Sequence, residues 1–433
     1  MKRVMNRKKI SLAVAAALAL GGASVAQAGI GFKAGDWDVD FSGNVNGFAT
    51  WNSCDNQNVA VAGGLVCNRG TGTGSGTNKS AIESGLLPSA LVFSAKSRQM
   101  NMDVGVTIGL YPTIATGPGA TAGGSNNALG SASINVRQNY LFFGDKSWGQ
   151  VKVGRDIGLF ASDAILSDMT LLGVGSGAAF LGGPTTLGRI GFGYIYTDWI
   201  PQITYTSPDF SGFKFAAGLF QGLNLAPVLS TDGPDPNGAT LTQHNQPGFQ
   251  GKVSYDFKAG QTSGKVWSSF MQQKVQSFQD QFGPGTGNTS INGTGWDIGG
   301  KIDFAGFEGV LYYYTANGIG TTAIGLGAAA FVPSAGTLDK RNSDGGYGQI
   351  TYKWQQIKFG YSYGQSYLKY GGNESTTNNP TLVRKNISNV FGVYYALTQS
   401  LNLVGEYIAS KSQAQGPGSL KDNAIALGAI LFF

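Results

Sequence analysis

The feature that most constrains this chain is the rhythm of its connections. About sixteen stretches alternate apolar and polar residues with a period of two and are rich in Tyr, Phe, Trp, Val and Ile. They fall at 37–51, 88–98, 100–111, 133–144, 148–155, 194–207, 212–221, 248–258, 264–275, 294–304, 307–316, 345–354, 356–367, 387–397, 401–411 and 422–433. Short turns sit near Arg98-Gln99, Asp145-Lys146-Ser147, 208–211, 258–263, Ala305-Gly306, Gln355-Gln356 and Thr398-Gln399-Ser400. They alternate without a break with long, polar, Gly-rich loops near 52–87, 112–132, 156–193, 222–247, 276–293, 317–344, 368–386 and 412–421. A soluble sandwich has no reason to alternate its connections in this way. An up-and-down barrel in a membrane does, with short turns at one end and long loops at the other. The predicted fold class is therefore all-β: a transmembrane antiparallel up-and-down β-barrel of about 16 strands, an even number that brings both termini to the short-turn end.

Single strands show two faces. In the third, Met100, Met102, Val104, Val106, Ile108 and Leu110 oppose Asn101, Asp103, Gly105, Thr107 and Gly109. A charge such as Asp103 is costly in lipid, so the polar face is assigned to the lumen. In the thirteenth, Ile357, Phe359, Tyr361 and Tyr363 oppose Lys358, Gly360, Ser362 and Gly364. In the last, Ile425, Leu427, Ala429, Leu431 and Phe433 share a face. Tyr312, Tyr314, Tyr352, Trp354, Tyr395 and Tyr407 are expected in the interfacial aromatic girdles.

Composition agrees with a barrel. Only 12% of the residues are charged, about half the soluble norm, while 68 of 433 are Gly and 12% are aromatic. Past the first residues no apolar run is long enough for a spanning helix. The first residues read as an export signal: Lys2, Arg3, Arg7, Lys8 and Lys9, an apolar run over 10–20, then Ala26-Gln27-Ala28. The expected division is a cleaved signal peptide at 1–28 and one barrel domain at 29–433. The 30 Lys and Arg of the whole chain, less the five in the signal, leave 25 against 24 Asp and Glu, a net of +1. The apparent basicity belongs to the export signal and gives no reason to expect nucleic acid as a partner. Cys54 and Cys67 are the two cysteines. In an oxidising compartment a disulfide that clips a polar loop is the expected state, the alternative being two free thiols. No metal or other cofactor is expected, because the sole histidine, His244, lies far from the cysteines.

These features together resemble the Gram-negative general porins, trimeric sixteen-stranded outer-membrane barrels, along the whole of 29–433. The resemblance rests on the last strand, with Phe433, Leu431, Leu427 and Ile425 at alternate positions. It rests also on Val153-Gly154-Arg155-Asp156 before the third long loop, and on Phe160-Ala161-Ser162-Asp163 and Ser167-Asp168-Met169 within it. It implies that this third loop folds inward and narrows the pore. It further implies that Phe433 and Leu431 belong to the signal read by the barrel-assembly machinery. Implied partners are two further copies in a homotrimer, outer-membrane lipid and lipopolysaccharide, and the small hydrophilic solutes and ions that pass. The chain departs from the family in its Cys54/Cys67 pair and in lacking the acidic Pro-Glu-Phe-Gly signature in the third loop.

A diffusion pore needs water, a narrow point and a local field set by a few charges. Family pores oppose loop acids to wall bases. Here the loop acids would be Asp163 and Asp168, and the wall bases Lys96, Arg137 and Lys152, with Arg155 at the loop root. The expected function is passive diffusion of ions and small hydrophilic solutes with weak charge selectivity, without enzyme activity. The first alternative is a substrate-specific channel for an anion, sugar or amino acid, which would want an inward aromatic track; Tyr313, Tyr363, Tyr367 and Tyr370 do not form one convincingly. Weaker alternatives are a barrel-embedded hydrolase, for which His244 would be the sole general base, and an adhesive or receptor barrel.

Overall fold

The computed structural model describes residues 29–55, 59–67, 78–112, 114, 134–177, 185–223, 244–276, 290–322, 331–334 and 337–433. Residues 1–28, on which the export signal was read, lie outside the described residues. Sixteen long strands form one ring. They are β1 (Trp37–Cys54), β2 (Ala90–Gln99), β3 (Met102–Pro112), β4 (Ile134–Asp145), β5 (Gly149–Ile157), β6 (Trp199–Thr206), β7 (Phe213–Phe220) and β8 (Gly248–Ala259). The ring continues with β9 (Thr262–Gln276), β10 (Ser290–Phe304), β11 (Phe307–Asn317), β12 (Asn342–Trp354), β13 (Ile357–Leu368), β14 (Val383–Ala396), β15 (Leu401–Ala414) and β16 (Ser419–Phe432). Every neighbour in sequence is an antiparallel neighbour in space. β16 closes on β1, from Asn44↔Phe432 to Cys54↔Asp422. The Gly43 N–H donates to the Phe433 carbonyl at 2.8 Å, and the Phe433 N–H donates back to Gly43 at 3.1 Å.

Closure leaves two half-edges on β1, and short strands cover both. Ile30–Ala34 pairs with the first half of β1, and Lys79–Glu83 pairs with its second half opposite β16. An unpaired edge facing hydrocarbon costs several kcal/mol per polar group, which accounts for both additions. Among the described residues no helix is long and apolar enough to cross a membrane, and the crossing is made by strands.

Side chains alternate as the period-two reading requires. On β3, Gly105, Thr107 and Gly109 point inward while Ile108 is exposed outward. On β13, Phe359, Tyr361 and Tyr363 are outward and Ser362 is fully buried. On β16, Ile425, Leu427 and Leu431 are outward. Tyr352, Trp354 and Tyr407 are exposed on the outer surface, and Phe307 packs against Tyr352 in a tilted pair with ring centres 4.4 Å apart. Tyr312 and Tyr314 correct the girdle expectation. They share the inward parity of Val310 and are buried, and it is Tyr313, 47% exposed, that faces out.

Boundaries differ in places. The first tight turn lies at Met100-Asn101, both in the left-handed region, two residues beyond the expected Arg98-Gln99. β6 begins at Trp199, since 194–198 still belongs to the long loop before it. The sixth long loop holds a small hairpin, Phe331–Ser334 with Thr337–Lys340, that was not expected.

Candidate pore constriction

The described residues of the third long loop, 158–177 and 185–198, lie inside the barrel. Their backbone amides are out of reach of strand partners, so the lumen wall supplies acceptors in order around the ring. On β8, Gln250 accepts from the Leu159 and Phe160 N–H groups at 2.8 and 3.0 Å. On β10, Asp297 accepts from the Ala161 N–H at 3.0 Å and from the Tyr312 hydroxyl at 3.1 Å. Ala161 is left-handed and leads into α1 (Ser162–Leu166), which has no side-chain cap of its own. Asp297 instead holds the N–H of that N-cap residue. On β12, Gln349 accepts from the Met169 N–H at 2.7 Å and donates to the Ser167 carbonyl at 3.1 Å, while Tyr347 donates to Ala164 at 2.7 Å. On β15, Glu406 accepts from the Val174 and Gly175 N–H groups, both at 2.8 Å. On β1, Asn52 donates to the Gly177 carbonyl. The loop therefore lines the wall from β8 round to β1.

The two loop acids are consumed in this latch. Asp163 is 3% exposed and sits between Lys252 of β8, at 2.8 Å, and Lys265 of β9. Asp168 is buried, accepts from the Tyr194 hydroxyl and the Thr170 N–H, both at 2.9 Å, and caps the 3₁₀ turn Met169–Leu172. Arg189 is fully buried and donates to the carbonyls of Ser362 on β13 and Ser388 on β14. Gly364 makes room for it, because a Cβ there would come within 2.8 Å of the Arg189 Nη1.

Two other segments also turn inward. Residues 84–89 leave the wall between Lys79–Glu83 and β2. Asn46 donates to the Leu87 carbonyl at 2.8 Å, Asn44 to Pro88 at 3.1 Å, and the Leu86 N–H donates to Gly173 of the third loop at 2.9 Å. The earlier part of the first long loop, 59–67, reaches across as well. Its Ala62 N–H donates to the Thr381 carbonyl at 2.8 Å, and its Leu65 N–H donates to the Ser412 hydroxyl at 3.0 Å. Cys54 and Cys67 are joined, with Cα atoms 5.4 Å apart, which ties this loop to the end of β1.

A cavity of about 270 Å³ lies beside the wall of β4, β5 and β6. Its charged lining is Arg137, Arg155 and Asp198, and leucines from the inward segments form the facing side. A polar, closed, sixteen-stranded barrel narrowed from within is the architecture of a pore, and the sequence agrees: a family model described as Gram-negative porin matches residues 12–415.

The chain belongs to the Gram-negative porin family.

Solved porin structures share its fold. The outer membrane channel DcaP of Acinetobacter baumannii aligns with a TM-score of 0.66 at 16% identity, over 93% of this chain and 99% of that one. An anion-selective porin from Comamonas acidovorans aligns at 0.56 and 14%, over 92% and 100%. Salmonella typhi OmpF, in complex with daunomycin, aligns at 0.56 and 15%, over 93% and 100%. No curated protein gives a significant match. This porin is an outer-membrane channel for passive diffusion, and its strands carry it through the bilayer.

Of the six residues singled out in the porin sequence, the structure brings two together at the cavity. Arg137 lies in a β-bulge, and its guanidinium sits 5.4 Å over the Tyr111 ring. Arg155 is exposed at the end of β5 and donates to the Trp199 carbonyl at 2.9 Å. The other four are elsewhere. Lys152 pairs with Asp156 and covers the Tyr140 ring. Lys96 lies in register with Asp38 and Gly105, near the short-turn end. Asp163 and Asp168 correct the expectation of loop acids facing wall bases across the opening, since contacts with Lys252 and Lys265 hold the first and contacts with Tyr194 and Thr170 hold the second in buried positions. Lys252, Lys265, Asp297 and Glu406 also hold the loop, and the only sequence signal for them is their lumen parity. Nothing local marks Arg189.

Proposed function

We propose that this porin is exported by a cleaved signal at 1–28, assembles as a homotrimer of single-domain barrels and passes small hydrophilic solutes through an opening narrowed by the third loop. It acts as a channel and not as an enzyme. The observation that carries this reading is the cavity: three segments turn into the lumen, yet a space of about 270 Å³ lies beside β4–β6. The trimer reading takes support from the solved trimer form of OmpT of Vibrio cholerae, which shares the fold at a TM-score of 0.50. His244 lies in a long loop beside Gly222, at the long-loop end of the barrel. Liposomes loaded with the purified trimer test the reading by osmotic swelling. Swelling rates should fall steeply with solute size from glycerol to disaccharide. Vesicles that swell no faster than protein-free ones in any solute would contradict it.

A further inference from the structure

The cavity has two unlike sides. We infer that it is a binding site for small organic anions with an apolar flank: Arg137 and Arg155 take the carboxylate, and the inward leucines take the flank. This deepens the proposed channel reading and rests on it.

Arg137 is placed by an irregularity. Gly109 pairs with Gln138 but Leu110 pairs with Val136, so Arg137 is an extra residue in its strand. A bulge re-aims a side chain that strict alternation would send the other way. The guanidinium lies over Tyr111, which is itself held by a 2.7 Å hydrogen bond to Gln138 and packs on Trp199 with ring centres 5.6 Å apart. Its contact with the Tyr196 hydroxyl is long, at 3.5 Å. An aromatic shelf of this kind fixes the plane of the fork that matches a carboxylate.

The local charge is positive. Among the described residues neither Arg137 nor Arg155 forms an ion pair. The one acid in the lining, Asp198, accepts from the Trp199 N–H at 2.7 Å. The acids that would oppose the arginines are withdrawn, Asp163 to its two lysines and Asp168 beneath Tyr194. In a low-dielectric channel two arginines against one aspartate are enough to favour anions. The facing side carries Leu86, Leu87, Leu166, Leu171, Leu187 and Ile190. A bare inorganic anion gains nothing from it, whereas an apolar flank leaves water there. The volume of about 270 Å³ lies just under the range of ligand clefts, about 300–1,000 Å³, and suits a small acid rather than an oligosaccharide.

Planar-bilayer recordings of the full-length trimer test this. In a KCl gradient the reversal potential should have the sign of chloride preference. Benzoate should block the chloride current at concentrations about tenfold below acetate, and below both benzyl alcohol and benzylammonium. Arg137→Gln should weaken the benzoate block by about tenfold, the usual scale of one charge-assisted hydrogen bond. Leu87→Ser should narrow the gap between benzoate and acetate. Potassium preference, or benzylammonium blocking as well as benzoate in the unmodified protein, would overturn the inference while leaving the channel reading intact. A protein that gives no current would overturn the channel reading itself.

Discussion

Asp163 is the residue on which the latch turns. One carboxylate, almost fully buried, meets two lysines from adjacent strands. Removing one partner of a buried ion cluster leaves the others uncompensated, and here the lysines are about 20% exposed, which softens the cost to roughly 2–3 kcal/mol. Asp163→Asn should therefore lower the unfolding free energy of the barrel by that much, read as a lower denaturant midpoint, and increase its chloride preference. An unchanged midpoint would mean that the ion cluster is idle in stability. The acid itself was legible in the sequence, as was its place in the third loop. Its direction was not, because that depends on Lys252 and Lys265, about ninety and one hundred residues away in the chain, and no local pattern joins them.

At the scale of elements, strands and loops differ in how much the sequence reveals. A strand writes its inward and outward faces into every second residue, so the faces of β3, β13 and β16 could be read directly. Tyr312 and Tyr314 show the limit. An aromatic suits a lipid interface and an inward latch equally well, and only parity against Val310 separates them. Loops carry no such period, which is why 84–89 and the first long loop gave no sign of turning inward. The first loop makes its own prediction. Leu65 packs against Gly191, a left-handed residue at which any Cβ would collide with the leucine. The disulfide closes a separation of 13 residues, a constraint of about 3 kcal/mol on the open chain. Cys54→Ser should leave strand content by circular dichroism unchanged while raising single-channel current noise, because the first loop no longer braces the third. Quiet channels in this variant would show that the hydrogen bonds at Ala62 and Leu65 suffice alone.

At the scale of the whole molecule, the number and order of strands followed from the alternation of short and long connections. Closure followed from the intolerance of lipid for open edges, and the two short strands that cover β1 are the same rule at finer grain. The identity of the opening did not follow. Nearly balanced charge suggested weak selectivity, but Asp163 is held by wall lysines and Asp168 by Tyr194 and Thr170 of its own loop, so balance over the chain says little about the field at the narrowest point. Diffusion through this porin requires a continuous aqueous path beside the third loop. Single-channel recording of the purified protein in a planar bilayer tests it most directly. Stable, ohmic current steps in KCl that grow with salt concentration are expected. A protein that inserts into the bilayer and yields no steps at any salt concentration would mean that the inward segments close the barrel, and would contradict it.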